Sequence, residues 1–295
     1  MVTLLSNRPG PECRTKQKET SAREVQVSSY NHLRQRVKVA GSSWSPDGKP
    51  VKELLVCDSP FAVGEVVGRQ KMNPKLGFME GLQLVAGTDS REAVLAVAPK
   101  VDIGMFTGMS FYGPRVKDQV PTVIKELVRD PQSRRAVLTV AGDPVRDIPI
   151  NEEPCTIAIQ FLIRGMLHVV AYMRSSDVVW GVPYDVMQFG VLGLAVAACL
   201  GVRPGFVYMV GGSVHEYEST KDINARGESR YFVLSPGYHL RLGPYNPLDR
   251  WGSLVEWART GTFYPDQWVE AGIPNGMDWT DTAPYLQGMG PVDSG

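Results

Sequence analysis

The chain has 295 residues, 43% of them hydrophobic and 21% charged, which is enough for one large core or two modest ones. Lysine plus arginine equals aspartate plus glutamate, 31 each. This balance argues against a bulk nucleic-acid or acidic-membrane partner, though not against a local basic pocket. The four cysteines, Cys13, Cys57, Cys155 and Cys199, lie far apart with no C-x-x-C, so zinc-ribbon and dithiol redox readings are weak. Such usage, with no secretory signal, predicts a reducing, cytoplasmic setting.

Residues 1 to about 45 are polar with clustered charge and read as a peripheral segment. Residues 46–295 read as a single domain. "SSWSPDGKP" (Ser42 to Pro50) is a loop by its Ser, Pro and Gly content, and "VKELLVC" after it is a strand. "NPKLGFMEGLQLVAG" (Asn73 to Gly87) predicts a helix stopped by glycine. In "KDQVPTVIKELVRDP", Val120, Val123, Ile124, Leu127 and Val128 make an apolar stripe, with Asp118 as cap and Pro131 past the end.

"RRAVLTVAG" predicts a strand. In "TIAIQFLIRGMLHVVAYMRS", Ile157, Ile159, Phe161 and Ile163 alternate on one face. Arg164-Gly165 then turns the chain, and Leu167, Val169, Ala171 and Met173 alternate back: a hairpin. Val186 to Gly201 is the most apolar run, read as a buried helix too short for a membrane span. "GFVYMVG" and "YFVLSPG" are further strands, and the tail "DTAPYLQGMGPVDSG" reads as irregular. Strands interspersed with a few long helices predict α+β architecture, a large sheet with helices on one side.

Several residues here can carry chemistry. Cys155 follows a proline at a strand start, as either a buried structural cysteine or a nucleophile whose thiolate nearby arginines would promote. Arg134, Arg135 and Arg174, with Ser175, are either solvated edge residues or donors for a phosphate dianion. His215 and Tyr217 share one strand face. Glu80 stands among apolar helical neighbours, so it is either paired or kept for proton work. Asp185 enters an apolar helix just past a Gly-x-Pro turn, where a helix N-cap is the plain explanation.

Taken together, the ordered motifs resemble the thymidylate synthase superfamily. They are Ser-Arg-Arg at Ser133, Pro-Cys at Pro154 with Gln-Phe five residues on, Arg-Ser-x-Asp at Arg174, Gly-x-Pro-Tyr at Gly181, and Gly-x-x-His-x-Tyr ending at Tyr217. The resemblance covers roughly residues 49–217. It implies a mixed sheet whose open face forms a homodimer interface, a nucleoside monophosphate substrate and 5,10-methylenetetrahydrofolate as co-substrate, without metal, membrane or nucleic acid.

By that resemblance Cys155 is the nucleophile, with Tyr112 near it, and Glu80 organises water and proton transfers. Arg174 and Ser175 bind phosphate, joined by Arg134 and Arg135 from the other subunit. His215 and Tyr217 hold the sugar hydroxyl, and Asp177 contacts the pterin. The family's Arg-Thr-Gly phosphate loop is absent, leaving Lys49 or Arg23 as substitutes, and the synthase-type ending is missing too.

The departures point to a branch. Synthases carry asparagine where this chain has Asp185, and asparagine suits uracil. Cytosine reverses the pattern, because its nitrogen 3 accepts and its amine donates. A protonated acid answers both, and an ionised one would pair with protonated cytosine. Thr156 after the nucleophile and Ser213 in the sugar motif also resemble the cytidylate 5-hydroxymethylases. The implied reaction is hydroxymethylation of dCMP or CMP. A thymidylate synthase with an unusual base pocket and a catalytically silent nucleotide-binding protein of the same fold are the alternatives.

Overall fold

The computed structural model describes residues 29–45, 48–63, 65–67, 71–106, 111–142, 153–223, 230–231 and 246–260. The helices are α1 (Ser29–Ala40), α2 (Pro74–Ala86), α3 (Arg91–Val97), α4 (Gly113–Val116), α5 (Val120–Arg129), α6 (Val182–Leu200) and α7 (Pro247–Thr260). The strands are β1 (Ser42–Trp44), β2 (Val51–Ala62), β3 (Glu65–Val66), β4 (Val137–Thr139), β5 (Thr156–Ile163), β6 (Leu167–Asp177), β7 (Pro204–Tyr217) and β8 (Arg230–Tyr231).

Six strands form one mixed sheet in the order β1-β2-β7-β6-β5-β4, and β3 pairs separately with β8. β6 and β7 are parallel, and α6 is their crossover, while the other neighbours are antiparallel. One face of the sheet supplies Leu138, Ile159, Phe161, Val169, Ala171 and Met209 to a core shared with α1, α2, α5, α6 and α7. This is the α+β arrangement read from the sequence.

α6 is apolar all round, as a helix must be when it is covered on every side. It is long and apolar enough to cross a membrane, yet 94% of its apolar window is buried inside the protein. Its closest helical partner is α2, and two glycines set their separation. A Cβ on Gly81 would lie 2.6 Å from the Val191 Cβ, and one on Gly77 would lie 2.9 Å from the Met187 sulfur. Glycine in a helix costs roughly 0.5–1 kcal/mol relative to alanine. Here that cost permits a close approach, which brings Glu80 on α2 next to Asp185 on α6.

The predicted ends of α2 hold. Asn73 caps its first turn by accepting from the Lys75 and Leu76 N–H groups, and Gly87 closes it in the left-handed region at φ 72°. The hairpin turns at Gly165, φ 76°. Elsewhere the sequence reading needs correction. Residues 29–40 are not peripheral: Tyr30, Leu33 and Val37 enter the core. Arg34 is buried and forms an ion pair with Glu216. Ser42–Trp44 is an edge strand instead of a loop, since its backbone pairs with β2.

Val128 leaves the α5 stripe and is 54% exposed, because it lies one residue beyond the 120-123-124-127 face. Gln119 occupies the α5 cap position in place of Asp118. Ile157 is exposed because the β5–β6 register shifts at the start of β5. The predicted strand "YFVLSPG" is described only at Tyr231. Its remainder, the C-terminal tail, Cys13 and Arg23 lie outside the described residues.

Candidate active site

Cys155 stands immediately before β5, the point at which a sheet strand delivers a side chain to its rim. Its carbonyl accepts from the Arg174 N–H at 2.8 Å. The Arg174 guanidinium donates to the Pro154 carbonyl (3.1 Å) and the Glu153 carbonyl (2.9 Å), so it braces the segment that carries the cysteine. A guanidinium has five N–H donors, and Arg174 is exposed, so donors remain for an anion. Ser175, next along β6, lies opposite Ser213 of β7.

The thiol is not activated in the way that arginine proximity predicts. Cys155 is exposed, which sets aside the buried structural reading, but partial desolvation by the surrounding protein raises its pKa above the ordinary value, and the Asp185 carboxyl raises it further. Arg174 opposes both, and Asp177 adds a smaller upward push. The side chain of Tyr112 reaches the same place. Its ring stacks on Phe189 with centroids 6.3 Å apart, and its hydroxyl bonds Thr156. Burial, then the Asp185 charge, holds that phenol well above the usual tyrosine range.

Asp185 lies in the first turn of α6 without capping it. The cap position is Gly181, and the Asp185 N–H already donates to the Gly181 carbonyl at 3.0 Å. The residue is 9% exposed, and its Oδ1 accepts from Gln188 Nε2 at 2.8 Å. Burial pushes the Asp185 pKa up to about 7, with the Asp177 charge adding to it and the Gln188 bond acting against it. Burial also pushes Glu80 up to about 8, aided by the Asp185 charge. Both carboxyls therefore exchange protons near neutral pH, where ordinary carboxyls are fully ionised, so the neutral and the ionised form of each are accessible.

A cavity of about 530 Å³ opens between α2, α6 and the segment around Phe111. Glu80, Tyr112, Asp185 and Gln188 line its polar side, and Phe106 and Trp180 are among its apolar wall. Its size is that of a small-molecule pocket, roughly 300–1,000 Å³.

The remaining candidates, like Cys155 and Arg174, do not line the cavity. Asp177, at the end of β6, uses Oδ1 to accept from the N–H groups of Val179 (2.7 Å) and Trp180 (3.1 Å), shaping the turn into α6. His215 and Tyr217 stand edge to face on β7, ring centroids 5.1 Å apart, and burial lowers the His215 pKa. A neutral imidazole both donates and accepts, as a sugar hydroxyl requires. Lys49 is exposed just before β2, whose Val51 pairs with Tyr217. Arg134 and Arg135 lie apart from the cavity and are exposed. Arg135 bonds Glu126 (2.8 Å) and Asp130 (3.2 Å) within the same chain.

The family model for thymidylate synthase matches residues 71–235, more than half of the chain. The chain belongs to the thymidylate synthase family. Every candidate residue named above except Lys49 and Arg23 falls inside that match. The chain is 30% identical over 120 residues to a thymidylate synthase of Phytoplasma mali, covering 40% of this chain and 41% of that relative. It is 36% identical over 121 residues to a putative thymidylate synthase of Methanosarcina acetivorans, covering 38% of this chain and 54% of that relative. The matches thus span about half or less of these relatives' length.

Sequence reasoning missed Gln188, Gln83 and Thr88, which also line the cavity of this thymidylate synthase-family site. The signal was present for Gln188, a polar residue one helical turn beyond Asp185 in an otherwise apolar helix.

Proposed function

We propose that the protein transfers a hydroxymethyl group to carbon 5 of a cytidine 5′-monophosphate nucleotide, with 5,10-methylenetetrahydrofolate as one-carbon donor. The observation that carries this reading is Asp185, a buried acid with pKa near 7 that lines the cavity and acts electrostatically on the cysteine. With Oδ1 held by Gln188, a neutral Asp185 donates from Oδ2 to cytosine nitrogen 3. Oδ1 retains a lone pair for the exocyclic amine. Uracil presents a donor at nitrogen 3 and an acceptor at carbon 4, and it meets this group badly.

In this mechanism the Cys155 thiolate adds to carbon 6 and makes carbon 5 nucleophilic. The methylene group passes to carbon 5, and the carbon 5 proton is lost. Departure of the folate leaves an exocyclic methylene conjugated with the ring. Water adds to that methylene as Glu80 takes its proton, and the thiolate leaves carbon 6. The sum is nucleotide plus methylenetetrahydrofolate plus water, giving hydroxymethyl nucleotide plus tetrahydrofolate. The aromatic wall of Phe106, Phe111 and Trp180 suits a flat heteroaromatic donor, with Asp177 at its edge.

Arg174, Ser175 and Lys49 serve the phosphate in this reading, and His215 with Tyr217 the sugar hydroxyl. Ser175 favours a deoxyribonucleotide, since its bulk limits room near the sugar. The protein acts as a homodimer, with Arg134 and Arg135 reaching the partner's phosphate. Supporting this, the sheet carries exposed Leu55, Val137 and Ile157, and on its outer side His168 stacks on Phe206 at 5.9 Å.

The names of the relatives favour a second reading, methylation of dUMP as in thymidylate synthases. One assay separates the two: tritium release from carbon 5 of CMP, dCMP and dUMP, with mass analysis of the product and absorbance of dihydrofolate. Hydroxymethylation predicts release from a cytosine nucleotide, dCMP above CMP, without dihydrofolate. Release from dUMP alone, with dihydrofolate, would overturn it. Nucleotide binding without release from any of the three would mark a silent binding protein.

A further inference from the structure

Three polar atoms of the cavity lining are buried and have no hydrogen-bond partner among the described residues: Glu80 Oε2, Gln83 Oε1 and Thr88 Oγ1. Buried polar atoms are nearly always bonded, and each exception calls for a ligand or an ordered water. These three are not scattered. Gln83 follows Glu80 by three residues on α2, so both face one way. Thr88 is tied to the same turn, its N–H donating to the Gln83 carbonyl at 3.0 Å.

The surroundings hold this group in place. Gln83 Nε2 donates to the Ser90 carbonyl at 3.1 Å, which leaves Oε1 as the free end of the amide. Gly113 closes over the turn. A Cβ there would lie 2.5 Å from both the Gln83 and the Thr88 carbonyl oxygens, so no larger residue fits. Gln83 is 1% exposed and Thr88 5%, so bulk solvent does not satisfy them.

We infer that Glu80, Gln83 and Thr88 form a dedicated site for the water molecule consumed in the reaction. The inference rests on the hydroxymethylation reading and names residues that deliver its water. The donor and acceptor count fits one water. It donates one hydrogen to Gln83 Oε1 and the other to the Glu80 carboxylate, and it accepts from the Thr88 hydroxyl. One lone pair remains, the pair that forms the carbon–oxygen bond to the exocyclic methylene. As that bond forms, the methylene π electrons move into the ring and the shared proton passes to Glu80. Gln83 and Thr88 act through the water and are positioning residues. Glu80 is the base.

The test is a partition experiment. The exocyclic methylene also accepts a thiol, so 2-mercaptoethanol in the assay competes with water and gives a thioether product. Thr88→Val is isosteric and removes only the unpartnered hydroxyl, and Gln83→Leu removes the amide. The full-length variants are given carbon-5-tritiated dCMP or CMP, methylenetetrahydrofolate and a fixed thiol concentration. In each variant that still releases tritium, the hydroxymethyl-to-thioether ratio should fall roughly tenfold, the loss expected for one hydrogen bond. Thr88→Ser should restore the ratio. Since both products come from the same folded molecules, partial misfolding does not move the ratio.

An unchanged ratio in both variants, with tritium release intact, would overturn the inference. So would a crystal structure of the parent protein in which no water bonds both Gln83 Oε1 and Thr88 Oγ1. If no cytosine nucleotide releases tritium, the proposed function itself fails. A crystal with no water bonding both atoms then overturns the site independently of turnover, and a water held by both supports it.

Discussion

Replacing Asp185 with asparagine should change both what the protein binds and how its stability depends on pH. Asparagine has nearly the same shape, and Gln188 can turn its amide to accept through Oε1 from the new NH2 group at the Oδ1 position, so the first turn of α6 keeps its packing. Only the acid is lost. Facing the base, the new amide donates where the neutral carboxyl accepted, so it opposes the cytosine amine and suits uracil oxygen 4. One mismatched buried pair costs roughly 1–3 kcal/mol, about tenfold to a hundredfold in affinity.

The stability consequence follows from burial. The folded-state pKa of Asp185 is raised from 3.8 to about 7, so the folded protein holds a proton that the unfolded chain releases. Stability contributed by this acid is fully present below about pH 4 and is lost as pH rises to about 7. At ~1.4 kcal/mol per tenfold change in proton affinity, the loss reaches at most ~4 kcal/mol. Asp185→Asn escapes it. Denaturant titrations at pH 5 and pH 8 should show the variant gaining on the parent as pH rises. kcat/KM for dCMP, CMP and dUMP should swing toward uracil. An unchanged preference together with a stability difference that is flat between pH 5 and pH 8 would refute the role given to this carboxyl.

Cys155→Ala should abolish tritium release while leaving nucleotide affinity, measured by calorimetry, largely intact; product from this variant would remove the cysteine from the mechanism. Mixing inactive Arg135→Ala subunits with inactive Cys155→Ala subunits should recover activity, because one site per heterodimer regains both groups. No recovery after verified subunit exchange, or a monomer by sedimentation, would count against action in trans. Glu216→Ala should destabilise the fold by roughly 3–5 kcal/mol in chemical denaturation, since it strands the buried Arg34 guanidinium. A loss under 1 kcal/mol would mean that α1 is not held by that pair.

Much of this protein is legible in its linear order. The ends of α2, the hairpin turn at Gly165 and the buried helix follow from capping residues and periodicity, which act over a few neighbours. The motifs around Cys155, Arg174, Asp185 and His215 mark the family because their order and spacing survive without any knowledge of distance. The chain alone also raises the question of an acid at Asp185.

What it cannot decide is whether that acid keeps its proton, since this depends on burial beneath distant segments such as α2. Gly77 and Gly81 look like poor helix residues until Met187 and Val191 are placed against them. The core role of Tyr30, Leu33 and Val37 is hidden in a polar segment because their partners lie across the sheet. Gln83 and Thr88 are ordinary polar residues until packing strips them of water. Local propensity is written residue by residue. Proton affinity and unsatisfied hydrogen bonding are fixed only when distant segments close around a site and remove it from solvent.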